Sequence, residues 1–323
     1  MTEPILTIEG LKKHYSPHSG PAAKLFGPPP RPILAVDGVD LVLGKGETLG
    51  LVGESGCGKS TLGRTTLLLE RPTCGKIVFE QTDLTELDAR KLRLMRRRMQ
   101  MVFQDPAASL NPRKTVRSIL GVPIRMTGAW DRQDGVRQLL ELVGLSEDSL
   151  GRYPHQFSGG QKQRIGIARA LASRPAIIIA DEPVASLDVS MQAQILRLLR
   201  ELQGEFGLSY IIISHDLNVV RLMSDRVAVM YLGKIIENGC AEDVVRSPIH
   251  PYTQALISAI PDVHAKRKRI VLSGEVPDPS DPPRGCRFHP RCFMQKVCEC
   301  TEVEPPLVEI GGGRLVSCHL ASR

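Results

Sequence analysis

Residues Gly53-Glu54-Ser55-Gly56-Cys57-Gly58-Lys59-Ser60 follow an apolar run, Thr48 to Val52, and precede a helical stretch from Thr61 to Leu69. The pattern G-x-x-x-x-G-K-[ST] between a strand and a helix leaves few folds open, because it is the phosphate-wrapping loop of a parallel α/β sheet. Glycine is needed where a side chain would keep backbone N–H groups from closing around a phosphate. Lys59 is expected to reach the terminal phosphates, the Ser60 hydroxyl to ligate Mg²⁺, and the start of the helix to turn its positive dipole end toward the anion.

A second stretch complements the first. Ala176-Ile177-Ile178-Ile179-Ala180 is an uninterrupted apolar run of strand length, as a central parallel strand covered on both faces requires. It ends in Asp181-Glu182, and carboxylates at the carboxyl edge of such a strand face the crevice where ligands bind. Asp181 is expected to act on Mg²⁺ from behind its direct ligands, and Glu182 to orient and deprotonate the attacking water.

Four further stretches occur in a fixed order: Val102-Phe103-Gln104-Asp105-Pro106, Ser158-Gly159-Gly160-Gln161-Lys162-Gln163, Ser186-Leu187-Asp188 and Ser214-His215-Asp216. Together with the loop and the strand end, they resemble the ATP-binding subunits of ABC transporters, and the likeness covers nearly the whole chain. The resemblance implies an α/β fold: a P-loop NTPase core made of a RecA-like lobe, an antiparallel β-subdomain and a helical subdomain, followed by a small cysteine-containing C-terminal region. It implies that ATP is cradled by Gly53, Glu54, Ser55, Gly56, Cys57, Gly58, Lys59, Ser60 and Thr61. Tyr15 would lie against adenine, with Ser60, Gln104 and Asp181 around Mg²⁺. Lys59, Glu182 and the switch residue His215 would be catalytic. Ser158, Gly159, Gly160 and Gln161 would face the nucleotide of a partner subunit, and Asp188 would sit in the loop beside it. A monomer would then bind ATP but hydrolyse it poorly.

Composition narrows the alternatives. The chain has 323 residues, 42% apolar and 24% charged, which is enough for one large domain and a smaller one. No apolar stretch approaches the roughly 20 residues of a membrane helix. Met1-Thr2-Glu3-Pro4-Ile5 lacks the basic and apolar segments of an export signal, so a cytosolic protein is expected. The net charge is +7, and Lys91, Arg93, Arg96, Arg97 and Arg98 form a dense basic cluster. Without aromatic platforms or a recognition helix, this reads as a solvated helix face rather than a nucleic-acid site.

Along the chain, Ile5 to Glu9 and Ala35 to Leu43 alternate like half-buried antiparallel strands. The Pro- and Gly-rich residues 16–32, with Pro28-Pro29-Pro30, read as an exposed insertion. Residues of about 105–157 form the helical subdomain, with Val136, Leu139, Leu140 and Val143 at helix spacing. Val227 to Met230 and Lys234 to Glu237 read as a closing hairpin around Gly233. The ATPase domain is expected over 1–240 and a regulatory or metal-binding region over 241–323.

Ser247-Pro248-Ile249-His250-Pro251-Tyr252-Thr253-Gln254-Ala255-Leu256 resembles a docking motif of the oligopeptide and dipeptide importer ATPases, and the Pro-rich Pro277 to Gly285 extends the likeness. Cys57 and the run after Gln161 resemble the F-type member of their ATPase pairs. The resemblance implies a peripheral subunit on the cytoplasmic side of a bacterial inner membrane. Its expected partners are a D-type ATPase, two permeases and an extracytoplasmic solute-binding protein, with nickel, glutathione or glycosides as alternative cargoes to peptides. A soluble ABC ATPase acting on nucleic acid or ribosomes is disfavoured, since those proteins usually carry two cassettes or a long coiled coil. Five of eight cysteines lie at the end: Cys286, Cys292, Cys298, Cys300 and Cys318. Disulfides are unexpected in a reducing cytosol, and the spacing is not a zinc-ribbon ladder. Cys286, Cys292, Cys298 and Cys318 are the expected ligands of a [4Fe–4S] cluster, carried by some members of this subfamily, with Cys300 as an extra. Zinc with His289 or His319, and unmetallated thiols, stay open.

Overall fold

The computed structural model describes residues 3–16, 31–131, 134–260, 269–294 and 297–321. Most of the insertion expected over 16–32 lies outside them. In chain order the strands are β1 (Pro4–Tyr15), β2 (Ile33–Gly44), β3 (Thr48–Val52), β4 (Cys74–Phe79), β5 (Thr82–Asp83), β6 (Met99–Val102), β7 (Ile177–Asp181), β8 (Ser209–Ser214), β9 (Arg226–Tyr231), β10 (Lys234–Cys240), β11 (Val308–Glu309) and β12 (Leu315–Val316). The chain divides into two compact units.

One unit is built mainly from Glu86–Ser214. Its β6, β7 and β8 run parallel, with Met99 opposite Ile177 and Ile177 opposite Ser209. Every residue of β7 and β8 is buried, so the continuous Ile runs are what a strand covered on both faces demands. The helix Gly135–Leu142 buries Val136, Leu139 and Leu140, the stripe that the sequence spacing anticipates. The helix Val189–Phe206 buries Ile195, Leu196, Leu198, Leu199 and Leu202 and ends at Gly207, whose φ of 63° caps it in the left-handed region.

The other unit holds Ile5–Val42, Leu49–Thr85 and His215–Arg323. Here β3 runs parallel to β9, with Leu49 opposite Arg226, and β9 returns antiparallel into β10. The turn between them is Leu232-Gly233, both at positive φ, as a tight two-residue hairpin requires. The edge of β10 is then covered by β12, which pairs antiparallel with it and with β11. A separate sheet in the order β2-β1-β4-β5 forms the antiparallel part, with Leu6 opposite Phe79.

The C-terminal region shares a core with the strand that feeds the loop. Val52, Val227, Val229 and Tyr231 pack with Tyr252, Ile257 and Phe288. Tyr231, Tyr252 and Phe288 contact one another with ring centroids 4.7, 5.3 and 5.4 Å apart. Such tilted and edge-on aromatic pairs add about 0.5–1.5 kcal/mol each beyond their buried area. The stretch from Ser247, which resembled a docking motif, therefore turns inward: His250, Tyr252 and Thr253 are buried.

Candidate nucleotide site

The phosphate loop joins β3, buried at all five positions, to the helix Lys59–Thr66. Gly58 caps that helix with φ of 107°, and a Cβ there would stand 1.9 Å from the Ala35 carbonyl oxygen. Gly56 also has positive φ, 81°, yet a Cβ there would meet nothing within 4 Å. The arc at Ser55 and Gly56 is thus exposed and open, while the base of the loop is closed by backbone. Lys59 is buried and curls back, its ammonium donating to the carbonyls of Gly53 at 2.7 Å and Glu54 at 2.9 Å. Burial pushes the Cys57 thiol up, against the pull of the Lys59 charge. A buried ammonium inside an open arc of backbone at a helix N-terminus suits a triphosphate, and the Ser60 hydroxyl that follows suits Mg²⁺.

Tyr15 ends β1, and its hydroxyl donates to Glu70, which also accepts from Arg64 at 2.6 Å. Lys13 lies over the ring, 4.9 Å from its centroid. Burial and the Glu70 contact push the phenol up, so the ring stays neutral and its orientation is held from the hydroxyl end.

In the other unit, Asp181 closes β7 and is buried. Glu182 follows at φ of 46°, a left-handed conformation that non-glycine residues seldom adopt, with its N–H donating to the Ile213 carbonyl at 2.9 Å. The Gln104 amide nitrogen donates to the Glu182 carboxylate at 3.2 Å. Sequence spacing of 78 residues separates these two, and the parallel pairing of β6 with β7 is what brings them together. His215, with which the chain re-enters the unit of the phosphate loop just after β8, is exposed.

Ser158 begins the helix Gly159–Leu171 with a capping box: its hydroxyl accepts from Gln161 N–H at 3.3 Å, and the Gln161 side chain accepts from Ser158 N–H at 3.0 Å. The residues that identify the motif therefore also fix the helix start, leaving Ser158 and Gly159 exposed. Asp188 caps the helix Val189–Phe206 by accepting from Met191 N–H at 2.9 Å and the Ser190 hydroxyl at 2.6 Å, bonds that hold its carboxyl below the usual range.

Residues to which the sequence assigns no individual role prove central in the C-terminal region. Glu237 is fully buried and accepts from the N–H groups of Ile249 at 3.1 Å and His250 at 3.0 Å and from the Arg314 guanidinium. His250 in turn caps the helix Pro251–Ser258, its Nδ1 accepting from Tyr252 N–H at 3.0 Å, and burial pushes its pKa down to about 3. Arg291 pairs with Glu54 of the phosphate loop, and Arg287 with Asp37. Burial pushes Asp37 up, but the hydrogen bond and charge of Arg287 outweigh it and hold the carboxyl below its ordinary range.

The cysteines gather differently from the expected set. Cys286, Cys292, Cys300 and Cys318 line one cavity of about 20 Å³ with His250, His289 and His319. Cys298 is exposed and outside it. Cys298 caps the short helix Glu299–Glu302, and residues two apart on a helix point roughly 200° apart, so Cys300 faces in where Cys298 faces out. Burial pushes the Cys286 thiol up to about 11. Among the described residues no group of three or more His, Cys, Asp and Glu is arranged to hold a single metal ion. The cavity has room for about one water, so a cluster does not fit it without the four thiols spreading.

Comparison with known proteins matches this geometry. Residues 36–185 match the ABC transporter family model, and residues 236–300 match the model of the oligopeptide/dipeptide transporter C-terminal region. The chain belongs to the ABC transporter family, as an ATP-binding, ATP-hydrolysing component, and ABC ATPases work on ATP with Mg²⁺. It is 52% identical to the oligopeptide transport ATP-binding protein AppF of Bacillus subtilis, over 99% of this chain and 98% of the relative. It is 47% identical to the dipeptide transport ATP-binding protein DppF of Haemophilus influenzae, over 98% and 96%. Among solved structures it resembles the dimeric post-hydrolysis ATP-binding cassette MJ0796 bound to ADP and Pi, with a TM-score of 0.64 and 30% identity over 73% of this chain and 98% of that one. The cbiO1 structure from Clostridium perfringens, part of the transporter complex cbiONQ, has a TM-score of 0.64 and 29% identity over 76% and 92%. No helix among the described residues is long and apolar enough to cross a membrane.

Proposed function

We propose that this chain is the ATP-hydrolysing subunit of an importer for peptides of the dipeptide and oligopeptide class. The carrying observation is the full-length similarity to peptide-transport ATP-binding proteins, together with the match of the C-terminal region, residues 236–300, to the oligopeptide/dipeptide transporter model. Tyr15 would stack on adenine and Lys59 would neutralise the terminal phosphates, and Ser60, Gln104 and Asp181 are the residues that would hold Mg²⁺. Held there, the ion would supply positive charge against the phosphates. Glu182 takes the proton of the attacking water, oriented by the hydrogen bond from Gln104. His215 contacts the γ-phosphate. The exposed Ser158 and Gly159 support a role for Ser158 to Gln161 at the nucleotide of a second ATPase, with Asp188 beside it.

That second ATPase is a D-type subunit rather than another copy, and the pair sits peripherally on the cytoplasmic side of the inner membrane, against two permeases served by a solute-binding protein. Residues 1–240 act as the ATPase domain and 241–323 as its C-terminal extension. Deleting the chain should abolish growth on dipeptides as sole nitrogen source, with restoration by the wild-type copy but not by Lys59→Ala. Unimpaired peptide uptake with lost nickel, glutathione or glycoside uptake would transfer the function to that cargo.

A [4Fe–4S] cluster, expected on Cys286, Cys292, Cys298 and Cys318, would take Cys300 in place of Cys298, because Cys300 shares a cavity with the other three thiols, which would have to spread to admit it. Iron and zinc content of anaerobically purified protein should fall in Cys300→Ser and not in Cys298→Ser. Metal-free, colourless protein that supports transport would remove the cluster from the proposal.

A further inference from the structure

A carboxylate inside a loop built to hold a polyanion is an electrostatic liability, and Glu54 is the second residue of that loop. The C-terminal region disposes of this liability. Arg291 donates to both oxygens of Glu54, Nη1 to Oε2 at 2.7 Å and Nη2 to Oε1 at 3.1 Å, in the two-pronged geometry that makes arginine–carboxylate pairs strong. The Arg291 side chain is 8% exposed. Its Nε is buried without a hydrogen-bond partner among the described residues, and beside a long contact from Nη1 to the Tyr231 hydroxyl at 3.5 Å the Glu54 pairing is the main compensation for burying the guanidinium. The backbone of Glu54 is held from the same side, its N–H donating to the Tyr252 hydroxyl at 2.8 Å.

Arg291 is itself fixed in place. It ends the turn His289–Arg291, whose neighbour Phe288 is wedged between Tyr231 and Tyr252. Cys286 and Cys292 flank that turn and pack on the same core, and Cys286 N–H donates to the Cys300 carbonyl at 2.9 Å. At the near end of the segment, Arg287 donates to the Leu232 carbonyl at 2.5 Å, and the adjacent Gly233 N–H donates to Cys57 O of the loop at 2.9 Å.

We propose that Arg291 is a positioning residue for the phosphate loop: by neutralising and pinning Glu54 it makes triphosphate binding depend on the folded C-terminal region. This rests on the ATP-binding role of the loop proposed above. With Glu54 unpaired, its charge would face the phosphates, and the loop would lose one of the contacts that hold its arc open.

The test is titration of the full-length chain with a fluorescent ATP analogue and Mg²⁺, alongside ATPase kinetics of the assembled transporter. Arg291→Ala should weaken binding by about 10- to 30-fold and raise KM more than it lowers kcat. Arg291→Lys, which keeps the charge but not the fork, should fall between. The double variant Glu54→Gln/Arg291→Ala should bind within about threefold of Glu54→Gln alone, because the charge to be neutralised is gone. Unchanged affinity in Arg291→Ala, with Lys59→Ala abolishing binding, would overturn the role of Arg291. A double variant as weak as Arg291→Ala would assign the loss to packing and overturn it too. Wild-type protein that binds no ATP would sink the proposed function, and this role with it. If Arg291→Ala does not fold, Arg291→Lys against Glu54→Gln/Arg291→Lys gives the same comparison.

Discussion

Gly58 and Gly56 both stand at positive φ in the phosphate loop, yet alanine at the two positions should differ sharply in cost. At Gly56, with φ of 81° and nothing within 4 Å of the added Cβ, the only penalty is the left-handed backbone, about 1–2 kcal/mol. A gain of about 0.4–1 kcal/mol from the stiffened unfolded chain offsets part of it. At Gly58, φ of 107° carries a similar or larger backbone penalty, and the Cβ would also lie 1.9 Å from the Ala35 carbonyl oxygen. That oxygen belongs to β2, so relief requires the strand or the helix start to move by more than an ångström. A flexible side chain cannot absorb it. Forced shifts of packed backbone cost about 1–3 kcal/mol more. Gly58→Ala is therefore expected to lose about 1–3 kcal/mol more than Gly56→Ala, which itself loses about 1.5 kcal/mol or less. Urea denaturation followed by circular dichroism checks this, with the midpoint of Gly58→Ala well below that of Gly56→Ala and equal slopes. Equal midpoints for the two variants would refute the steric account of the loop.

Glu182→Gln should keep ATP binding and lower turnover of the assembled transporter by about 100- to 10,000-fold; near-normal hydrolysis would remove Glu182 as the base. Arg314→Met leaves the fully buried Glu237 carboxylate with its two backbone donors only, and should cost about 3–5 kcal/mol in urea, recovered in part by Glu237→Gln in the same chain. His250 is buried neutral with a pKa of about 3, below its unfolded value near 6.5, so the unfolded chain binds the extra proton between those values. Its contribution is complete above pH 6.5 and declines as the pH falls toward 3. Between pH 6.5 and 5 the wild type should lose roughly 2 kcal/mol that His250→Asn, which can still cap the helix, does not lose. Parallel pH profiles would show that His250 does not titrate this way.

Much of the nucleotide site is legible because its parts are local. The phosphate loop, the apolar β7 and the capping box at Ser158 each need residue types at fixed short spacing, since each makes its contacts within a few residues of itself. The hairpin around Gly233 and the helical stripe at Val136, Leu139 and Leu140 are readable for the same reason. Pairing across the chain leaves no such trace. That Gln104 donates to Glu182 follows from β6 lying beside β7, and that Cys300 rather than Cys298 faces the cavity follows from one turn of helix.

The C-terminal region marks the boundary most clearly. By itself the sequence determined a phosphate loop, its strand-end carboxylates and a family likeness, because those features are written in spacing. Only the tertiary structure decided that the region beyond Cys240 shares a core with the loop strand, that His250 and Tyr252 are buried rather than displayed, and that Arg291 reaches Glu54 across 237 residues. An arginine and a glutamate so far apart carry no pattern. Their pairing is set by the aromatic packing of Tyr231, Tyr252 and Phe288 beneath them.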